Sequence, residues 1–364
     1  MKIAIQAADL DAKRIDGTRV YILNLLKCFG ALDTIDSFRI YHKNIFNTEL
    51  TPPIFSNYKI IKKPARFFWT QTRFAWELMR DCPDVLWMPM AALPIIRSRK
   101  IKTVITVHDL AFKFFPEMFP KKDLWELNFY AKYAIKNADK IIAVSQSTKK
   151  DILHFYPNVD TKKIKVIYHG FDGNLFLKNS ISNKKKVSPY LLYVGAIQPR
   201  KNLSTLIDAF EKIKTKNKYP DLKLILAGGV AWQAEDTLVA VQNSSFSNDI
   251  ILTGRVDFSV LAKLYQCAEM FIFPSLYEGF GIPILEAFAS GVPVVCANNS
   301  SLPEVAGDSA LYFDGKNAVD LTEKIISILE NDNLRKELTE KGFAQLRKFS
   351  WEKCAKETLS FIKS

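Results

Sequence analysis

A chain of 364 residues exceeds what one hydrophobic core usually serves, so two domains are expected. A hydrophobic share of 48% and a charged share of 24% exclude a disordered or fibrous chain. The formal charge of +13 favours anionic partners without choosing among nucleic acid, anionic lipid and phosphorylated small molecules.

In chain order, residues 2–6 read as a buried strand with no signal-peptide layout around it, and residues 20–29 as a helix. The loop between them holds Gly17, at a place where a first parallel strand often hands phosphate or substrate to a helix. Asp9-Leu10-Asp11 has a D-x-D look but reads as a solvated loop. Residues 59–80 interleave Arg66, Arg73 and Arg80 with Phe67, Phe68, Trp69, Phe74 and Trp76. That pattern suits anionic lipid or stacked bases, and equally a helix with a buried aromatic face and a basic outer one. The longest apolar run, residues 85–96, is broken by Pro89 and Pro94 and is too short to span a bilayer.

Residues 103–107 form a β-branched strand ending in His108-Asp109. A histidine at a parallel strand's carboxyl end faces the ligand crevice, and Asp109 either orients it or caps the next segment. Strands follow at 140–144 and 165–168, then a polar stretch, 174–188, that reads as a linker. A second series starts with a strand at 190–194, leading to Arg200-Lys201 at a strand-to-helix turn: a diphosphate clamp or a solvated basic turn. Strand ends at Gly228-Gly229 and Gly254-Arg255-Val256 come next, and further strands at 292–296 and 310–313 precede a last helix near 351–362. The five scattered cysteines read as reduced core residues of a cytosolic protein, without a zinc or disulfide pattern.

Residues 270–291 hold the densest pattern. A short apolar strand ends at Pro274, a turn carries Glu278, Gly279, Phe280 and Gly281, and a helix beginning near Pro283 carries Glu286. The glycines let backbone N–H donors approach a bound anion or sugar, and both glutamates reach the crevice at the strand's end.

This stretch, SLYEGFGIPILEAFASGVPVV, resembles nearly residue for residue the signature of glycosyltransferase family 4, retaining nucleotide-sugar enzymes of the GT-B fold. The likeness extends to Gly17 and Tyr21, where Arg19 replaces a second glycine, to the strand end at His108, and to residues 301–307. It implies an α/β fold of two doubly wound Rossmann-like domains facing across a cleft. An acceptor domain would span 1–173 and a donor domain 189–348, with a C-terminal helix, 349–364, crossing back to the first. His108, Arg200, Lys201 and Glu278 would be catalytic. Gly17, Arg200, Lys201, Gly254, Arg255, Val256, Glu278, Gly279, Phe280, Gly281 and Glu286 would bind the donor, with Glu278 on sugar hydroxyls and Glu286 on the ribose.

The implied reaction moves a hexose, mannose from GDP-mannose above all, to a glycan or lipid-linked acceptor in cell-surface polysaccharide assembly. It needs no metal or cofactor. The chain would be cytoplasmic, docked peripherally on anionic membrane through its basic surface, with no nucleic acid as partner. The alternatives are a sugar-nucleotide epimerase of GT-B architecture and a non-catalytic protein that binds nucleotide-sugar or nucleic acid.

Overall fold

The computed structural model describes residues 1–12, 15–171, 173, 176 and 188–364. It divides into two compact units, one of Met1–Phe114, Pro120–Gly170 and Phe349–Ser364, the other of Phe115–Phe119 and Phe171–Lys348.

In unit 1, seven parallel strands run in the order β3-β2-β1-β4-β5-β6-β7. They are β1 Lys2–Gln6, β2 Ser37–His42, β3 Tyr58–Lys62, β4 Val85–Met88, β5 Lys102–Val107, β6 Lys140–Ala143 and β7 Ile164–Val166. Unit 2 has six, β8 Tyr190–Val194, β9 Lys223–Ala227, β10 Ile250–Gly254, β11 Met270–Phe273, β12 Val294–Ala297 and β13 Ala310–Phe313. Their order is β10-β9-β8-β11-β12-β13, again all parallel.

The local cause is plain in β4, β11 and β12, whose residues VLWM, MFIF and VVCA are all buried. Helices cover both faces of a parallel sheet, so its central strands are apolar throughout rather than alternating. Each sheet grows outward from one strand and then resumes on that strand's other side. The reversal lies between β1 and β4 in unit 1 and between β8 and β11 in unit 2. At such a point successive helices depart to opposite faces and leave a crevice beyond the strands' carboxyl ends.

The last helix, Trp351–Lys363, joins unit 1. Its Trp351, Cys354, Ala355, Leu359 and Ile362 enter the core with Ile3, Tyr21 and Leu25. Gly170 makes room for it: a Cβ there would sit 2.1 Å from the Trp351 nitrogen. At the helix's far end Lys363 reaches Asp33 at 2.8 Å and Asp36 at 2.7 Å.

Several elements depart from the sequence reading. The first helix runs Gly17–Leu32, so Gly17 is its first residue, with Asp16 as N-cap, and not a loop glycine. Asp11 is not solvated: its side chain is 6% exposed and accepts from the Lys43 and Asn44 backbone N–H groups, tying the loop to the end of β2. Of the cysteines only Cys296 and Cys354 are buried, while Cys82 and Cys267 are exposed. The domain change falls between Gly170 and Phe171 rather than at 173, and residues 115–119 belong with unit 2. Phe115 packs edge-on against Tyr277, and Gln233 donates to the Glu117 carbonyl, which holds that segment there. Apart from Phe176 and Ser188, the expected linker at 174–188 lies outside the described residues.

The aromatic-basic segment divides. Trp69 and Phe74 are buried, whereas Phe67 and Phe68 are 66% and 71% exposed and Trp76 is 43% exposed. Arg73 and Arg80 both lie over the Trp76 ring, at 5.0 and 4.6 Å. Among the described residues no helix is long and apolar enough to cross a membrane.

Candidate active site

Two loops at the unit 2 reversal, one after β8 and one after β11, are stitched into one body. Pro199 starts a 3-10 turn, Pro199–Lys201, and Asn202 ends it in the left-handed region at φ 56°. Asparagine tolerates that conformation better than most residues. Its amide then donates to the Pro274 carbonyl at 3.1 Å and the Gly315 carbonyl at 2.6 Å. The Leu276 N–H closes the link by donating to the Arg200 carbonyl at 2.9 Å.

This stitching brings three charged side chains together. Lys201 pairs with Glu278 Oε1, and Arg200 Nη1 lies 3.4 Å from Oε2 while also donating to the Tyr277 carbonyl. The Arg200, Lys201 and Glu278 side chains are only 16%, 11% and 12% exposed. Burial alone would raise the Glu278 carboxyl, yet Lys201 and Arg200 prevail and hold it below its ordinary value. It is ionised at neutral pH. Two cations and one carboxylate leave the cluster net positive, in a setting with little water to screen it, which favours an anion.

The turn at Glu278 is shaped from beneath by two serines. The Glu278 N–H donates to Ser300 Oγ at 3.0 Å, and Ser301 Oγ donates to the carbonyls of Glu278 and Phe280 at 2.9 and 2.7 Å. Of the two glycines, Gly281 adopts the positive φ, 115°, as N-cap of the helix Ile282–Ala289. A Cβ there would be strained and would press on Leu302 at 3.2 Å. Pro283 sits in the first turn, where its missing N–H costs nothing. Phe280 turns its side chain into the core and Gly279 is partly exposed.

Glu286 lies one helical turn further on. Tyr265, itself fully buried, donates its hydroxyl to Oε2 at 2.8 Å. Burial pushes the Glu286 carboxyl up to about 7 against that bond's opposing effect. The two glutamates therefore differ: Glu278 is held ionised by cations, and Glu286 is poised near neutrality.

Gly254, Arg255 and Val256 are on the same edge of the sheet, Gly254 ending β10 at φ 66° and the exposed Arg255 and then the half-buried Val256 after it. They are not in the charged cluster. Three strand spacings separate β10 from β11, roughly 14 Å, about the reach of a nucleoside diphosphate. The Gly228 N–H donates to the Gly254 carbonyl at 3.0 Å, which joins these loops.

In unit 1, Gly17 and His108 sit beyond the ends of β1 and β5. The exposed Gly17 stands at the helix N-terminus, where backbone N–H groups lack intrahelical partners. Arg19 does not point outward: it pairs with Asp16 and donates through Nε to the Asp9 carbonyl at 3.0 Å. His108 Nε2 donates to the Pro89 carbonyl at 2.9 Å, which leaves Nδ1 as the acceptor in the neutral ring. Burial lowers the His108 pKa, so the ring is uncharged at neutral pH. Tyr21 meets its edge at 5.0 Å between centroids, and Asp109 caps Ala111 at 3.0 Å instead of orienting the imidazole. Among the described residues no three His, Cys, Asp or Glu side chains converge as a metal-ligand set.

A Glycosyltransferase Family 4 model matches residues 15–174, and a model of Glycosyl transferases group 1 matches residues 177–345. O-antigen chain mannosyltransferase B of Escherichia coli is 32% identical over 301 residues, covering 80% of this chain and 77% of that protein. The chain belongs to glycosyltransferase family 4.

Solved structures share the fold. HepE of Anabaena, solved with UDP and glucose, superposes over 100% of both chains with a TM-score of 0.76 at 17% identity. Sucrose-phosphate synthase of Thermosynechococcus elongatus covers 100% of this chain and 98% of its own, with a TM-score of 0.75 at 18% identity. The fold is GT-B, and the chain is a glycosyltransferase. Within it, Asn202, Ser300, Ser301 and Tyr265 shape the site although sequence reasoning assigned them no role. Their signal was faint: Asn202 follows the basic pair, Ser301 opens the recognised segment 301–307 and Ser300 directly precedes it, but their partners are 21 to 113 residues away.

Proposed function

We propose that this glycosyltransferase moves mannose from GDP-mannose, with retention at the anomeric carbon, to a glycan or lipid-linked acceptor in cell-surface polysaccharide assembly. The convergence of Arg200 and Lys201 on Glu278 carries the reading. The mannosyl choice is supported by the similarity to the E. coli mannosyltransferase.

The chemical difficulty is the charge that develops on the departing diphosphate as the sugar becomes oxocarbenium-like. Arg200 and Lys201 would leave Glu278 for the phosphate oxygens and stabilise that charge, and Glu278 would then accept from sugar hydroxyls. Preorganised cations in a dry site supply most where charge develops in the transition state. The bond from C1 to the phosphate oxygen breaks, the acceptor hydroxyl bonds to C1 on the same face, and its proton passes to the leaving phosphate. Glu286 would hold the ribose hydroxyls, the Gly254–Val256 loop the base, and N–H groups at Gly17 and Phe280-Gly281 the anionic or polar atoms beside them. His108 would accept through Nδ1 from a hydroxyl of the transferred sugar. The two cations would do the work of a metal, so chelator should leave turnover unchanged.

The exposed Phe67, Phe68 and Trp76, flanked by Arg66, Arg73 and Arg80, support docking on an anionic membrane that carries the acceptor. Flotation with anionic liposomes tests it.

The deciding experiment is a thermal-shift screen against GDP, UDP, dTDP, ADP and their sugar conjugates, followed by transfer assays with the nucleotide selected. Selective stabilisation by GDP and GDP-mannose is expected. A selective response to another nucleotide overturns the donor, and product formation without acceptor overturns the transferase reading in favour of epimerisation.

A further inference from the structure

A second polar cavity lies wholly within unit 1. Its volume is about 590 Å³, within the range of small-molecule sites. It is formed where the helices Ala111–Phe114, Lys121–Asn137 and Gln146–Phe155 meet the connection leading into β7. That connection enters β7 at its amino end, the edge of the sheet opposite to His108, so the cavity is separate from the residues assigned to transfer.

Lys113, Lys132, Lys136 and Lys163 line it, with Asp160 as its one acidic residue. Asp160 is already engaged, accepting from the Lys162 N–H at 2.9 Å as an N-cap. Lys163 donates to the Ala138 carbonyl at 3.3 Å. Among the described residues no carboxylate stands within ion-pair distance of any of these lysines. Lys113 lies among the rings of Phe112, Phe155 and Tyr156 at 5.8, 5.9 and 5.6 Å. Burial and then the neighbouring Lys132 push its ammonium below the ordinary lysine value, an unfavourable crowding that an anion would relieve.

The other wall supplies an aromatic surface. Tyr156, 5% exposed, lines the cavity together with Phe155 and Pro157. The Tyr156 hydroxyl is buried and has no hydrogen-bond partner among the described residues. A buried hydroxyl in that condition is costly, and a polar atom of a ligand in the cavity would satisfy it.

We propose that this cavity is a binding site for a phosphate-bearing ligand, its anionic group held by Lys113, Lys132, Lys136 and Lys163 and its body packed on Phe155 and Tyr156. Compact ammonium groups bind phosphate as point charges and need no fixed fork geometry, and the ring faces suit a sugar, a base or the glycerol backbone of a headgroup. The proposal does not rest on the identity of the donor.

The test uses the full chain carrying Arg200→Ala and Lys201→Ala, which removes the other cationic cluster. Calorimetric titration with inorganic pyrophosphate should show saturable binding, one per chain. Lys132→Ser with Lys136→Ser, and separately Tyr156→Phe, should each weaken it by about tenfold, as expected for lost bonds to a charged group. Tyr156→Phe should not lower the melting temperature of the free protein, because it deletes an unpartnered hydroxyl. Flotation with phosphatidylcholine vesicles, with and without phosphatidylglycerol, identifies the source. Binding to anionic vesicles that is lost in Tyr156→Phe assigns the site to a lipid headgroup, since non-specific adsorption would ignore an interior hydroxyl. Pyrophosphate binding with vesicle binding absent or insensitive to Tyr156→Phe assigns it to a soluble phosphate. Pyrophosphate binding unchanged in both variants, or no binding in either assay, overturns the proposal.

Discussion

The carboxyl edges of the two sheets share a topology and differ in chemistry. Beyond β5 of unit 1 the central group is an uncharged ring: His108 is tied to the Pro89 carbonyl and set among the rings of Tyr21 and His169. Burial lowers the pKa of both imidazoles. Beyond β8 and β11 of unit 2 it is ionic, with Arg200 and Lys201 around Glu278 and a half-titrated Glu286 alongside. A doubly wound sheet supplies a crevice at each reversal of strand order, and the residues at the strand ends decide what it does. The ionic edge suits a diphosphate and the neutral one suits sugar hydroxyls.

The largest effect should come from removing the charges of unit 2. Lys201→Ala or Arg200→Ala should each lower kcat by about 10²–10³ with an unchanged circular-dichroism spectrum, the scale set by loss of one transition-state donor. Full activity in both variants would remove the clamp. Glu278→Gln sharpens the point in the opposite direction: with the competing carboxylate gone, nucleoside diphosphate should bind more tightly while kcat falls, and calorimetry with the product measures it.

On the neutral edge the expected loss is smaller. His108→Ala should reduce kcat by about 10- to 100-fold, in the range of a single positioned side chain, without altering nucleotide affinity. Because His108 is already uncharged, the wild-type pH–rate profile should carry no inflection from it near about 6.5, the ordinary histidine value. An inflection there that vanishes in His108→Ala would contradict the neutral assignment.

The packing of unit 1 gives a stability test of comparable precision. Gly170→Ala places a methyl against the Trp351 backbone and should cost about 1–3 kcal/mol, read as a lower melting temperature. An unchanged melting temperature would mean the last helix yields easily.

Smallest is the response of Glu286. Below about 7 its carboxyl is protonated, and above that it accepts fully from a diol, so nucleotide affinity should rise several-fold from pH 6 to 8. Glu286→Gln should flatten the rise. Tyr265→Phe should move it to higher pH, since losing a donated bond removes what holds the carboxyl down.

Much of this was legible in the residues. The apolar runs of β8, β11 and β12, the glycine turn after Glu278 and Pro283 in the first turn of its helix are local matters, decided within a few bonds. The strands β2, β3 and β4 were not read from the sequence. β4 is embedded in an apolar stretch punctuated by Pro89, and β3 is an edge strand with a mostly exposed pattern, IIK following Tyr58 and Lys59. Neither carries a period that separates strand from its surroundings.

The sequence alone determined the family, the two parallel series and the identities of Arg200, Lys201, Glu278 and Glu286, because strand ends and glycine turns leave short-range marks. Only the tertiary structure decided that Lys201 pairs with Glu278, that Ser300 and Ser301 shape its turn, that Tyr265 faces Glu286, and that Gly170 admits the last helix. Those pairings join residues far apart in the chain. A carboxylate's charge state follows from its burial and neighbours, and neighbours exist only once the sheet has formed.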